Sequence, residues 1–514
     1  KPDIPIIKLT DEEWKEKKGQ ILVPFTYTAE DKLYHISLYQ TETAKYLLFD
    51  VAHIMGDGMT MNLLLEDVNR AYAGQPIEKE TYTVYDYILD NKKREETGAA
   101  AKDFRYYDEL LDGYKMARSV LNKKGKEDLE HEDKDVIRRR LDKLTKLKIQ
   151  YFCRQQGVSE NVLFYTAFNY CVGLFSDEKD VMTCSIHSGR TDGRWRRLAG
   201  PLFLTYLCRQ TTLPHETSLA LLKRMGRQIM DTMRCQVSVP REGEMFFQYQ
   251  GDIIEIDQIG GLPAKRLHLQ LDSLPFHMQV MSDNNGFYTE LRFWKNRFDR
   301  DLLEEFLDCY EAVILAMEKE TSARRLKTHI PENYIPKHIF MKAGYINKEA
   351  GAELLKGIDP EEEVRVYVLD DRYGKKPFGA WGELYLGVKP ENAVDEIDNP
   401  FREGTLYDTG LVARIMPNKE LDFLEKSGRT VLTDGHSGRR YYELGALEEA
   451  LKGMNQVDKT RAYMIFDGKV NEMKLAIDVE TCQDSFINRI RNYTGEQCGK
   501  KMIPAVVNIV SEQG

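Results

Sequence analysis

Residues 43–53, TAKYLLFDVAH, form a nearly continuous apolar run that ends in a histidine, and no other stretch constrains the fold as much. Strict alternation would mark a strand with one wet face, whereas a continuous run suits a strand covered on both faces. After a Gly-containing loop, Met61, Leu64, Leu65, Val68 and Tyr72 recur at helical spacing, with Thr60 as the expected N-cap. A second unit runs from a mostly apolar helix at 159–173, opened by Ser159, into the strand-like DVMTCSIHSGR at 180–190. This is α/β alternation. Leu303, Phe306, Leu307, Tyr310, Ile314 and Met317 share one helical face, and the charged KETSARRLK after them predicts a domain boundary near 320–330. Beyond it come short strands and turns (VRVYVLD, GELYLG, TLYDTG), then an α/β tail from about 430.

At 514 residues the chain should divide into two to four folding units. A net charge of −10 argues against nucleic acid, because a duplex binder needs a surplus of Lys and Arg on one face. No apolar run approaches the roughly 18–20 residues that cross a bilayer, and the opening KPDIPIIKLTDEEWKEKK is too charged for a signal-peptide core. A cytoplasmic location without membrane contact is the expectation. The eight cysteines show no CxxC pair and no His at ligand spacing, which predicts reduced, mostly buried thiols and no metal.

The chemistry points to His53-Ile54-Met55-Gly56-Asp57-Gly58-Met59-Thr60. With ten histidines in the chain, a chance H-x₃-D-G is expected roughly 0.04 times. A side chain at the end of an apolar strand also sits on a rigid platform. The octapeptide resembles the HHxxxDGxS motif of nonribosomal peptide synthetase condensation domains, relatives of chloramphenicol acetyltransferase. Further segments follow in that family's order. YTVYDYI at 82–88 resembles its tyrosine-rich segment, Gly189-Arg190 its Gly-Arg at a strand end, Gly200-Pro-Leu-Phe-Leu-Thr205 its GxFVNT, and FFQYQ at 246–250 the segment before its last strands.

The resemblance covers about 1–325 and implies a two-lobed α/β (α+β) fold, with lobes at 1–134 and 135–325 and a cleft around His53 wide enough for a phosphopantetheine arm. It implies that His53 orients the amine or accepts its proton. Asp57 would turn away to pair with Arg190, and Gly58 would let the backbone approach the oxyanion. Gly200 and Thr205 would line the tunnel. Two departures stand out: Ala52 replaces the first His of the motif, and the family's opening RHExLRT segment is missing ahead of Lys1, so the chain is expected to begin inside the domain.

After a linker at 326–362, the last third resembles a truncated, degenerate adenylation domain, with a partial core β subdomain at 363–430 and a C-terminal subdomain at 431–514. GAWGELYLG, Tyr407-Asp-Thr-Gly-Leu-Val-Ala-Arg414, Gly428-Arg429 through Gly445, and KKMIPAVV match its motifs in order. Yet no phosphate loop of the TSGTTGxPKG kind is present, Leu411 stands in place of the ribose-binding Asp, and Val431 in place of the hinge Asp. A non-adenylating remnant is the expectation. For the chain as a whole, the resemblance implies an amide-forming acyltransferase. It would bind no cofactor directly and would be served by the phosphopantetheine arms of carrier proteins and by neighbouring synthetase modules. The alternatives are a non-catalytic recruitment platform, an ester-forming enzyme, or an epimerase; the last is disfavoured by Ile186, which stands where epimerases carry Glu.

Overall fold

The computed structural model describes residues 4–510 other than 29–31, 113, 115–120, 122–132, 143–144, 214–215, 239–244, 252–257, 266, 268–273, 320–334, 337–338, 351–353, 371–372, 392, 394, 425–429, 436–437, 453, 455–456, 458, 468–471, 481–486 and 499–502. Its first sheet has three strands, β1 (Ile6–Lys8), β2 (Tyr34–Gln40) and β3 (Lys45–Val51); β1 runs parallel and β3 antiparallel to β2. Between β1 and β2, helix α1 (Asp11–Lys17) opens with a Thr10/Glu13 capping box and stacks Trp14 on Tyr46. Helices α2 (Gly58–Tyr72), α3 (Val84–Glu96) and α4 (Ala101–Leu111) complete this unit.

Two sequence expectations are corrected here. Strand β3 is not covered on both faces: its side chains are half-buried or exposed, Leu47 being 39 % exposed. The N-cap of α2 is Asp57, not Thr60, which lies at the third helical position. Asp57 accepts from the Thr60 N–H, and the Thr60 hydroxyl accepts from the Asp57 N–H. A carboxylate at the positive end of a helix is the stronger cap of the two.

The second unit is a six-stranded sheet in the order β4-β11-β10-β7-β5-β6. It is built from β4 (Lys134–Arg140), β5 (Asp180–His187), β6 (Leu204–Thr211), β7 (Met245–Gly251), β10 (Phe276–Asp283) and β11 (Gly286–Trp294). A small hairpin, β8 (Gln258–Ile259) with β9 (Leu262–Pro263), interrupts the path. The helices are α5 (Lys146–Gln156), α6 (Glu160–Ser176), α7 (Ser218–Arg234) and α8 (Arg300–Lys319). Ser159 caps α6 as its position suggests, and nearly every residue of that helix is buried. Phe276, Met278 and Val280 of β10 and Leu291 and Phe293 of β11 share one core with α6 and α8, as the period of two dictates.

A third unit pairs β12 (Ile339–Lys342), β13 (Glu363–Leu369), β14 (Gly382–Leu386), β16 (Thr405–Ile415) and β15 (Asp395–Asp398) in that order. Strand β17 (Leu421–Phe423) joins β16, and α9 (Ala343–Ala350) packs on the sheet. It is joined to the second unit by a buried ion pair, Lys376 Nζ to Asp177 at 2.7 Å, and by the Trp381 N–H bonding to the Phe175 carbonyl. Ala380 and Met416 complete the second unit's core. The tail comprises the hairpin β18 (Thr430–Gly435) and β19 (Gly438–Glu443), α10 (Leu444–Lys452), β20 (Lys459–Asp467), β21 (Glu472–Glu480), α11 (Ile487–Cys498) and β22 (Val506–Val510). The boundary expected at 320–330, Gly428-Arg429, the side chain of Val431 and the start of KKMIPAVV lie outside the described residues. Cys153, Cys171, Cys184, Cys208, Cys235 and Cys309 are free and buried. Among the described residues, no group of side chains is placed to hold a metal and no helix is long and apolar enough to cross a membrane.

Candidate active site

The chain leaves β3 through a tight turn closed by the Met55 N–H on the Ala52 carbonyl. Ala52, where the family motif has its first His, points inward and is 2 % exposed, while His53 is exposed. The His53 Nδ1 lies 2.9 Å from the Gly56 carbonyl oxygen. A carbonyl only accepts, so Nδ1 carries the hydrogen and, in the neutral ring, Nε2 holds the free lone pair. The Phe203 ring, from the second unit, packs against the imidazole at 5.0 Å with a 37° tilt.

Asp57 and Arg190 form the expected ion pair, bidentate at 2.7 and 3.0 Å, with side chains only 5 % and 3 % exposed. The carboxylate also accepts from the N–H groups of Thr60 and Leu202. Arg190 reaches the carbonyls of Ser188, Leu198 and Gly200. The Thr60 hydroxyl completes the joint: it accepts from the Gly200 N–H at 2.9 Å and lies 2.9 Å from Asp57 Oδ1 and 3.0 Å from the Gly200 carbonyl, between which its one proton is shared. With its remaining lone pairs satisfied in this way, a buried pair of charges is tolerable. Around it, Tyr82 and Tyr87 meet Trp195 edge-on, and Arg197 pairs with Glu66, Asp67 and Glu78. The segment after β5 is thereby fastened onto α2 and α3.

Gly58, Gly200 and Thr205 lie in different surroundings. Nothing lies within 4 Å of where a Cβ on Gly58 would stand, so no crowding within the chain calls for glycine there; Gly58 is the exposed first residue of α2. Crowding within the chain is found at Gly56, whose Cβ would come within 2.8 Å of the Thr60 side chain. Gly200 is part of the joint: both its polar groups are bonded, and a Cβ would stand 2.5 Å from Val84. Thr205 is likewise buried in β6, with its hydroxyl 2.7 Å from that of Ser238. FFQYQ falls in the interior strand β7, where Phe247 is fully buried. Phe203 and the hub role of Thr60 escaped the sequence reading, although both residues sit inside the motifs it singled out. Close by, His187 accepts from the Gly189 N–H through Nδ1, and burial pushes its imidazole down to about 4.

Residues 7–240 match the family model described as Condensation domain. This part of the chain is similar to condensation domains. Among curated proteins, the chain is 22 % identical over 322 residues to surfactin synthase subunit 1 of Bacillus subtilis (strain 168), a match covering 58 % of this chain and 9 % of that protein. It is 28 % identical over 178 residues to the PKS-NRPS hybrid synthetase acdB of Aspergillus candidus, covering 31 % and 7 %. The chain therefore spans only a small part of these relatives' length. In fold, it is similar over 99 % of its length to 65 % of a four-domain nonribosomal peptide synthetase solved with AMP and glycine (TM-score 0.69, 10 % identity). It also resembles the condensation domain of the Monacolin K polyketide synthase MokA (TM-score 0.54, 15 % identity, 63 % of this chain and 81 % of that one). The epimerization domain of tyrocidine synthetase B fits the condensation-domain fold equally well, at a TM-score of 0.52, so backbone shape alone does not separate the two chemistries.

Proposed function

We propose that this chain acts as a condensation domain and forms an amide between an acyl thioester carried on a phosphopantetheine arm and an amine acceptor, with His53 as the group that handles the proton. The observation that supports this most is the exposed imidazole locked with Nδ1–H on the Gly56 carbonyl, which leaves a basic Nε2 open. The amine nitrogen attacks the thioester carbonyl carbon, Nε2 takes the ammonium proton, the C–S bond breaks, and the same proton passes to the departing sulfur. The N–H groups of Gly58 and Met59, in the first turn of α2, have no intrahelical acceptor and are the donors available to the oxyanion. Asp57 and Arg190 act by holding this turn.

Residues 363–514 serve this reading as a non-adenylating scaffold. Leu411 on β16 offers no hydrogen bond to a ribose, and the sequence holds no glycine-rich phosphate loop. The epimerase reading is disfavoured by Ile186, whose aliphatic side chain on β5 cannot move a proton. A non-catalytic platform is the one competing reading with an observation behind it, the alanine at position 52. The discriminating experiment incubates the full chain with an acyl-loaded carrier domain and an amine, and follows the intact mass of the carrier and the amide product. His53→Ala should slow amide formation by roughly 10²–10⁴-fold. Equal rates for His53→Ala and the parent chain would leave the platform reading standing.

A further inference from the structure

Phe203 occupies a fixed place beside the reactive imidazole, and everything around it explains why. On its N-terminal side, Gly200 is bonded through both polar groups to Thr60, and the Leu202 N–H is bonded to Asp57 Oδ2 at 3.1 Å. On its C-terminal side, Leu204 opens β6 and pairs with His187 of β5. The backbone at 203 is therefore held from both ends, and the half-buried ring it carries is set against His53 at 5.0 Å. A ring at that distance and tilt is in van der Waals reach of the imidazole, whose Nδ1 is held on the Gly56 carbonyl. The residues that follow His53 in the chain, Ile54 and Met55, are 62 % and 51 % exposed, so this turn presents apolar side chains to solvent. The charged side chain of this turn, Asp57, is buried against Arg190.

We infer that Phe203 is the specificity-determining residue of this site, forming an apolar wall against which the side group of the acceptor amine rests, so that acceptors with aliphatic or aromatic side groups are selected over polar ones. The inference rests on the acceptor reading of the site proposed above and gives that acceptor a chemical class. A benzyl wall does this in two ways. It gains from an apolar side group leaving water, and it desolvates a polar one without returning a hydrogen bond. It also keeps the amine on the side of the imidazole where Nε2 is open, so binding and proton transfer share one geometry.

The test uses the full chain and two acceptor probes of similar size, leucinamide and asparaginamide. Binding is followed by NMR through the His53 ring protons, a readout that requires no turnover. Leucinamide should bind about tenfold more tightly than asparaginamide, in keeping with what a hydrophobic seat discriminates. Phe203→Ser should reduce that ratio to about twofold or less, and Phe203→Leu, which keeps an apolar wall, should restore most of it. Equal affinities for the two amides in the parent chain, no shift from either, or a ratio unchanged in Phe203→Ser would overturn the inference. Amide formation from an acyl-loaded carrier, run alongside, separates the two ideas. If it is absent from the parent chain or survives His53→Ala, the catalytic reading fails while the binding ratio still decides the role of Phe203. A merely structural role would lower both affinities together and would not be rescued by leucine.

Discussion

Two buried ion pairs join units of this molecule, and they are built differently. Asp57 and Arg190 meet through two parallel bonds and lie inside a web formed by Thr60, Gly200, Leu198 and Leu202. Lys376 and Asp177 meet through a single bond of 2.7 Å, where the third sheet rests on the end of α6. A guanidinium presents a rigid fork and an ammonium a point charge, so the first pair fixes orientation while the second fixes only proximity. The position of each pair matches this difference. The first sits four residues from His53, where angles decide chemistry; the second joins two sheets, where contact suffices.

Breaking the first pair should have the larger effect. Asp57→Ala leaves Arg190 buried without its counter-charge and unfastens Leu202 and Thr60, so a loss near the upper end of about 3–5 kcal/mol is expected in urea unfolding. Amide formation should fall with it, even in the fraction that folds, because the 200–203 segment positions Phe203 against His53. Retained stability together with retained activity would mean that the web holds its shape without the charges.

Lys376→Met tests the other side of the comparison. It takes the Lys376 charge away from Asp177, whose side chain is 17 % exposed and so keeps some water, and a loss of up to about 3 kcal/mol is expected. Activity per folded molecule should not change. A variant with normal stability but slowed chemistry would show that the third sheet takes part in the reaction, and the contrast between the two joints would then collapse.

The sequence made one of these joints legible and hid the other, for physical reasons. Asp57 and Arg190 both lie in segments that resemble condensation-domain motifs, and that resemblance implied their pairing although 133 residues separate them. Lys376 and Asp177 are 199 residues apart, in an unremarkable Gly-Lys-Lys stretch and at a helix end, and nothing local marks either as a partner. The helices α6 and α8 were legible because their burial is written in composition or periodicity. The half-open β3 was misread because a continuous apolar run reports what a strand is suited to meet and not what covers it. The need for glycine at Gly56 was passed over for a related reason, since it depends on where the Thr60 side chain turns. Phe203 was passed over because its significance comes from a ring 150 residues away in the chain.

The smallest effect lies between these joints, at His187, where β5 hands the chain to the segment that carries Arg190. Burial holds this imidazole at about 4, while an unfolded chain titrates it near the ordinary value of 6.5. Because the folded value is the lower one, the folded state favours the neutral ring. The unfolded state takes up the proton first as pH falls, and stability is lost progressively from about pH 6.5 down to about pH 4. The full difference amounts to about 3 kcal/mol and is reached only near pH 4, with roughly a quarter of it lost by pH 6. His187→Asn keeps an acceptor near the Gly189 N–H without a titrating group, so the parent chain should show the steeper fall in unfolding free energy over that window. Parallel curves would mean that the ring titrates in the folded protein as it does in the unfolded one. A steep fall accompanied by early loss of amide formation would mean that protonating His187 disturbs the Asp57–Arg190 joint through Gly189, making the two features one cooperative element.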